Sequence, residues 1–386
     1  MNFDVLIIGG GLVGTSLAAA LKNSGLSIAL VESQSPSTAE HSGWDNRIYA
    51  ISPGSASFLS QCGAWQRLDM QRVQPVEQMR VFGDAAAELE FSAYQLGAPE
   101  LAFILENRML QQALWQTTQQ QQNLTLFHPA HCSSIVWHVD AVHVQLTDGR
   151  AITAQLVVGA DGPDSWVRQQ AGIIEPPTLY QQHGVVANFT AALPHRGTAY
   201  QWFQPDSILA LLPLPRQMVS MVWSIASEQA ERLMQLPGPE LSAEVTVAAQ
   251  HLLGDLQMVT PPAAFPLRML RLPQIVQPRL ALVGDAAHNI HPLAGQGVNL
   301  GFRDTRELAN LLLQRETHPD CGSLQLLRRY ERARKEDILA IQFTTDTLKK
   351  LFNNRNPLLR AARNLGLNAT NQITPLKKML ARHALN

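Results

Sequence analysis

The sequence predicts an α/β protein: a Rossmann-like domain, discontinuous in the chain, a second domain built mainly on antiparallel sheet, and a C-terminal helical segment. Three observations carry this prediction. The apolar run Asp4–Ile8 leads into Gly9-Gly10-Gly11-Leu12-Val13-Gly14 and then into helical spacing. Two more short apolar runs, Leu156–Gly159 and Leu280–Val283, lead into Asp161-Gly162 and Gly284-Asp285. Between them, from about Tyr180 to Val276, the pattern changes to alternating and aromatic-rich segments. The first domain is therefore expected at 1–70, 100–178 and 277–340, the second at 71–99 and 179–276, and the helical segment at 341–386.

Each element follows in order. Asp4–Ile8 is a buried strand, Thr15–Ser24 a helix stopped by Gly25, and Ser27–Glu32 a second strand. Together they make a βαβ unit of the usual size, about 30 residues. Asn107–Gln122 is helical and ends in a glutamine-rich run. Leu124–Val158 alternates apolar and polar residues around Asp148-Gly149, which predicts an antiparallel meander. Gly184–Thr190, Ile208–Leu212 and Met218–Ile225 are strands of the second domain, and Glu228–Leu253 is helical. After Arg303 the chain is helical, with late helix starts at Asn356-Pro357 and Thr374-Pro375.

Composition excludes several classes. A formal net charge of -1 gives no field to hold nucleic acid. Cys62, Cys132 and Cys321 stand far apart, which suits neither a metal motif nor a disulfide framework and points to a reducing compartment. The N-terminus carries Asp4 and no basic leader, and the apolar run Ile208–Leu214 is short and broken by Pro213. A spanning helix needs about 20 apolar residues. The expectation is a cytoplasmic protein.

Gly9-x-Gly11-x-x-Gly14 is a dinucleotide fingerprint because of its context. The first glycine allows the tight turn, the second lets a pyrophosphate approach the backbone, and the third lets helix and strand pack closely. The helix N-terminus offers free N–H groups to phosphates. Glu32, at the end of the next strand, is placed to bind a ribose hydroxyl. This does not separate FAD from NAD. Asp161-Gly162 and Gly284-Asp285 each put a carboxylate near a strand's C-terminal end, where such sheets bind ligands. His288 and His291 have no evident third partner for a metal, so no metal site is expected. No Gly-x-Ser-x-Gly elbow supports hydrolysis.

At all three places the sequence resembles FAD-dependent aromatic hydroxylases of the para-hydroxybenzoate hydroxylase type. Within that class it is most similar to the hydroxylases of ubiquinone biosynthesis. The residues are Gly9, Gly11 and Gly14; Asp161-Gly162; Gly284-Asp285-Ala286-Ala287-His288; His291-Pro292-Leu293-Ala294-Gly295-Gln296-Gly297; Asn299-Leu300-Gly301; and Arg303-Asp304. Glu106-Asn107-Arg108, Pro213-Leu214 and Tyr330-Glu331-Arg332-Ala333-Arg334 extend the likeness over nearly the whole chain. Asn289, where Thr is frequent, and Phe302, where a smaller residue is frequent, depart from the pattern.

The resemblance implies tightly bound, non-covalent FAD, with NAD(P)H as co-substrate. NAD(P)H reduces the flavin, O2 adds at C4a, and the hydroperoxide hydroxylates a phenol ring. It implies that Asp285 binds the ribityl chain and that Pro292, Gly295, Gly297, Val298 and Asn299 form the flavin-edge loop, where backbone N–H groups stabilise negative charge. Arg47 and Arg108 are candidates to approach the FAD phosphates or to shape the flavin position. Gln201-Trp202-Phe203, Leu209–Leu214 and Met221-Val222-Trp223 are candidates to line an apolar substrate chamber, although aromatic stripes in strands commonly serve the core. A polyprenylated phenol is the expected substrate. A lipid-tailed substrate and the basic residues Arg355, Arg360, Arg363, Lys377, Lys378 and Arg382 would suit attachment to the inner membrane or to a multi-protein biosynthetic complex, and a solvated helix face is the other reading of the same residues. Two alternatives stand beside this: a hydroxylase of a small soluble aromatic acid, and a non-catalytic FAD-binding scaffold.

Overall fold

The computed structural model describes residues 1–34, 43–83, 87–204, 206–290, 295–314 and 320–352, with backbone alone from 348. Pro292, His291 and the basic C-terminal residues lie outside them.

Five strands run parallel in one sheet, in the spatial order Leu280–Leu282, Ala151–Gly159, Asn2–Ile8, Ile28–Val31 and Leu124–Phe127. They are short and almost wholly apolar because both faces are buried. The helix Leu12–Ala20 and the longer Gly297–Leu313 pack together on this sheet. The expected meander is present from Cys132 to Gly159, but Leu124–Phe127 is not part of it. That segment pairs parallel with Ile28–Val31 as an outer strand of the sheet, a distinction four residues of alternation cannot encode.

Among the described residues the second sheet has nine strands. Its central run is Ala263–Arg271, Thr178–Ala191, Met218–Ala226, Ser207–Leu214, Thr198–Gln204 and Gln78–Phe82. The helices Ser227–Gln235 and Gly238–Ala248 cover one face; Pro237 separates what the sequence suggested as one helical stretch. A small three-stranded sheet, Ile48–Ile51, Ala102–Glu106 and Gln74–Val76, lies between the two large sheets. Among the described residues no helix is long and apolar enough to cross a membrane.

Candidate functional site

The strand register decides where the motifs emerge. Ile8 pairs with Gly159 and with Val31, and Gly159 pairs with Leu282. Four strands therefore end in one row. The residues that follow are Gly9, Glu32, Ala160-Asp161 and Val283-Gly284-Asp285, gathered at the C-terminal edge of a parallel sheet.

Packing at this edge leaves no room for side chains at two points. Gly9 has φ +108°, and a side chain there would run into the Ala160 carbonyl. A side chain on Gly14 would collide with the Gly9 carbonyl oxygen. Gly11 differs, for space opens beyond its Cα. The Glu32 carboxylate closes the turn, accepting from the Gly10 N–H at 2.5 Å and the Gln34 N–H at 2.8 Å. Gln111, one turn into the helix Asn107–Gln119, donates to the Gly10 carbonyl at 2.7 Å. Sequence reasoning missed Gln111, since an isolated helical glutamine carries no signal.

Asp161 is turned into the protein. Its carboxylate accepts from Ser165 Oγ at 2.6 Å and from the Val167 N–H at 3.0 Å, capping the short helix Trp166–Gln170. Burial pushes its carboxyl up, against these two bonds. Arg168, from the same helix, donates to the carbonyls of Ala286 at 2.9 Å and Pro163 at 3.0 Å, tying the second loop to the third.

The third loop is pinned from behind. Asp304, 0% exposed, accepts from the Gly284 N–H at 2.9 Å, bonds His288 Nε2 at 2.6 Å and accepts from Arg334 Nε at 2.8 Å. Burial works to raise its carboxyl, but His288 and Arg334 win and hold it below the usual range. Asp285, next to this clamp, is half-buried at the front. Burial pushes its carboxyl up, with the charges of His288 and Arg47 opposing. Arg47 lies 5.5 Å from the Tyr49 ring, and Asp285 adds to the burial that raises the Tyr49 phenol. Arg47, Tyr49 and Asp285 thus share one locus.

Arg108 is placed differently. Its guanidinium donates to the Gly43 carbonyl at 2.9 Å and lies 3.7 Å from buried Glu106, which Arg72 also engages at 2.7 Å. It orders the segment that carries Arg47.

Gly295 sits beside Ala50, and Gln296 precedes the helix Gly297–Leu313 without a side-chain cap bond. The amide of Asn299 is occupied by protein: it accepts from the Ser52 N–H at 2.9 Å and donates to the Ala50 carbonyl at 2.8 Å. What Gly297, Val298 and Asn299 offer outward is therefore backbone N–H, which a first helical turn cannot satisfy internally. Space opens beyond Gly297, as beyond Gly11. Phe302 fills a core with Phe58, Leu12 and Ile51, its ring 6.3 Å from Phe58. Asn289 donates a long bond of 3.4 Å to the Asp285 carbonyl.

Two open glycines at helix starts, a carboxylate at the glycine turn and an acid on the third loop with the charge of Arg47 acting on it fit a long dinucleotide laid across the strand ends. The family model of an FAD binding domain matches residues 2–341. The 3-demethoxyubiquinol 3-hydroxylase of Escherichia coli (strain K12) is 37% identical over 99% of this chain and 98% of its own length. A ubiquinone hydroxylase of Rhodospirillum rubrum is 36% identical over 99% of this chain and 89% of its own. The chain belongs to the FAD-dependent ubiquinone hydroxylase family. It is a flavoprotein monooxygenase of the aromatic hydroxylase type, and FAD is its cofactor. The fold agrees with solved structures: p-nitrophenol 4-monooxygenase from Pseudomonas putida DLL-E4 has a TM-score of 0.80 at 17% identity, covering 100% of this chain and 99% of that one. A probable FAD-dependent monooxygenase from Pseudomonas aeruginosa gives 0.79 at 23%, covering 95% and 100%.

In this hydroxylase the candidate chamber residues divide by strand alternation. Trp202, Leu209, Leu211, Met221 and Trp223 face the helix-covered core, where Trp202 stacks on Phe82 at 5.4 Å. They are core residues. The opposite face, toward the segment Trp44–Ile51, carries Ala199, Gln201, Ala210, Leu212, Ser220 and Val222.

Proposed function

We propose that this enzyme hydroxylates the aromatic ring of a polyprenylated phenol on the way to ubiquinone, using NAD(P)H and O2. The observation that carries the reading is the end-to-end similarity, 37% and 36%, to two enzymes named as hydroxylases of ubiquinone or its demethoxy precursor. FAD supplies the redox chemistry and oxygen activation when bound. This chain supplies placement. Gly9, Gly11 and Gly14 with the helix Leu12–Ala20 would receive the pyrophosphate, and Glu32 a ribose hydroxyl. Asp285 would accept from the ribityl hydroxyls, with Arg47 beside it, while Gly295 and the N–H groups of Gly297, Val298 and Asn299 would face the flavin ring. Pro292 belongs to the same flavin-edge loop by sequence. Arg108 and Asp161 would act through the loops they hold.

We place an FAD domain at 1–70, 100–178 and 277–340 and a substrate domain at 71–99 and 179–276; the two large sheets support this division, although His288–Asn289 pairs into the second. The substrate face is neutral and mostly apolar at Ala199, Ala210, Leu212 and Val222, which suits a prenylated ring better than a small acid. A lipid-tailed substrate also makes attachment at a membrane surface, or within a biosynthetic complex, the reading we favour for its location.

The test is a quinone profile of cells lacking the gene, by liquid chromatography and mass spectrometry. Accumulation of a polyprenylphenol one hydroxyl short of the next intermediate supports the proposal. An unchanged profile, together with no phenol-dependent NAD(P)H oxidation by purified protein, would sink it.

A further inference from the structure

Asn188 and Ser220 stand directly opposite each other on adjacent antiparallel strands. Directly opposed residues keep their Cβ atoms roughly 4.5–5.5 Å apart. Both are 0% exposed. Both point to the same side: their strand neighbours Ala187, Phe189, Val219 and Met221 belong to the helix-covered core, so alternation turns Asn188 and Ser220 toward the flavin half. Asn188 shows this by donating its amide to the Asp45 carbonyl at 2.8 Å, two residues from Arg47. Ser220 is also paired with Leu212, which packs against the same buried cluster as Ala50, the residue beside Gly295.

The amide oxygen of Asn188 and the hydroxyl of Ser220 have no hydrogen-bond partner. Two unsatisfied polar atoms side by side in an apolar layer are a departure from the rule that buried polar groups are bonded. Their chemistry is complementary. One can only accept; the other can donate or accept. Neither atom is reachable in the substrate-free packing, so a ring must displace its cover to meet them; a single ring hydroxyl then set between them donates to Asn188 Oδ1 and accepts from Ser220 Oγ–H. An ether oxygen at that point leaves Asn188 unpaired, and a bare ring leaves both unpaired.

We propose that Asn188 and Ser220 together form a recognition site for a free hydroxyl on the substrate ring, and so set which ring position faces the flavin edge. This rests on the phenol reading above and adds the residues that read the phenol. A site built around a hydroxyl discriminates strongly against rings that lack one.

The experiment uses the FAD-loaded protein and a matched pair of probes, a short-chain prenylated phenol and the same prenylated ring without the hydroxyl. Binding is read from the perturbation of flavin absorbance, not from turnover. Wild-type protein should bind the phenol at least about tenfold more tightly than the bare ring. In Ser220→Ala this gap should narrow severalfold through weaker phenol binding, with the bare ring unchanged. The melting temperature of the substrate-free variant should be equal or higher, because an unsatisfied buried hydroxyl has been removed. Weakening of both probes alike in Ser220→Ala would mean packing alone and overturn the proposal. An undiminished gap would overturn it as well, while leaving the phenol reading intact. Wild-type protein that binds neither probe would count against the phenol reading itself, and the proposal with it.

Discussion

Asp304 holds Gly284 through its backbone N–H at 2.9 Å, from a position on the next helix with no solvent exposure. The same carboxylate bonds His288 and Arg334. A flavin-site turn, the helix that follows it and the long helix Leu324–Phe352 are thereby joined at one buried anion. Replacing it with alanine strands an arginine and a histidine. Removing one partner of a buried ion pair costs about 3–5 kcal/mol. Asp304→Ala is expected to unfold at much lower denaturant and to purify without FAD, as equilibrium unfolding and the flavin-to-protein absorbance ratio will show.

The clamp also sets an acid limit. Its carboxyl is held below the usual range by His288 and Arg334 although burial opposes them. A carboxyl depressed on folding adds stability that is fully present above its unfolded value, about 3.9, and is lost as pH falls through the folded value. Urea titrations at stepped pH should show stability falling below about pH 4. The slope should be shallower in Asp304→Asn, and an identical slope would remove Asp304 from the account.

Asp285 predicts the opposite sign. Burial raises its carboxyl, so its favourable contribution belongs to low pH and is lost as pH rises through the folded value. Wherever the group is ionised, it is held so at the expense of the fold. Asp285→Asn should make the FAD-free protein more stable, by about 0.5–2 kcal/mol. FAD affinity should fall about tenfold or more, since a hydrogen bond to a charged group is lost. Thermal melts with and without added FAD would test both halves.

Two glycines three residues apart should behave differently. A Cβ on Gly14 meets the Gly9 carbonyl, whereas one on Gly11 meets nothing within 4 Å. Gly14→Ala is therefore expected to lower the melting temperature of protein stripped of FAD. Gly11→Ala should leave that temperature unchanged and weaken FAD, because the added methyl enters the space the cofactor uses.

Asn299 joins the Ser52 N–H and the Ala50 carbonyl to the start of the helix Gly297–Leu313. Asn299→Ala leaves two buried backbone groups unpaired, worth about 1–3 kcal/mol each. Stability should drop in unfolding titrations, and the flavin absorbance bands should broaden as the loop at Gly295 loses its support.

Much of this arrangement could be read from the chain. The short apolar runs before Gly9, Asp161 and Gly284 betray buried parallel strands, and their glycines betray crowding that the structure locates at the Ala160 and Gly9 carbonyls. What the pattern hid was direction. Trp202 and Met221 suggested a chamber, but an alternating strand has two apolar faces when both are covered, and only pairing with the helices Ser227–Gln235 and Gly238–Ala248 tells them apart. Asn299 and Asp161 were legible as important residues, yet their bonds run inward to backbone, a choice settled by partners 247 and 6 residues away. Gln111 gave no signal at all.

The row of strand ends has a consequence for how the molecule is born. Gly9 and Glu32 leave the ribosome early, Asp161 midway, and Gly284 only after all of the second sheet but His288–Asn289. Arg334, which secures Gly284 through Asp304, comes later still. The first strands therefore wait for most of synthesis beside a missing neighbour, and a nascent chain halted before Arg334 should carry no flavin. Flavin uptake can then begin only when synthesis is nearly finished, roughly tens of seconds after Gly9 was made.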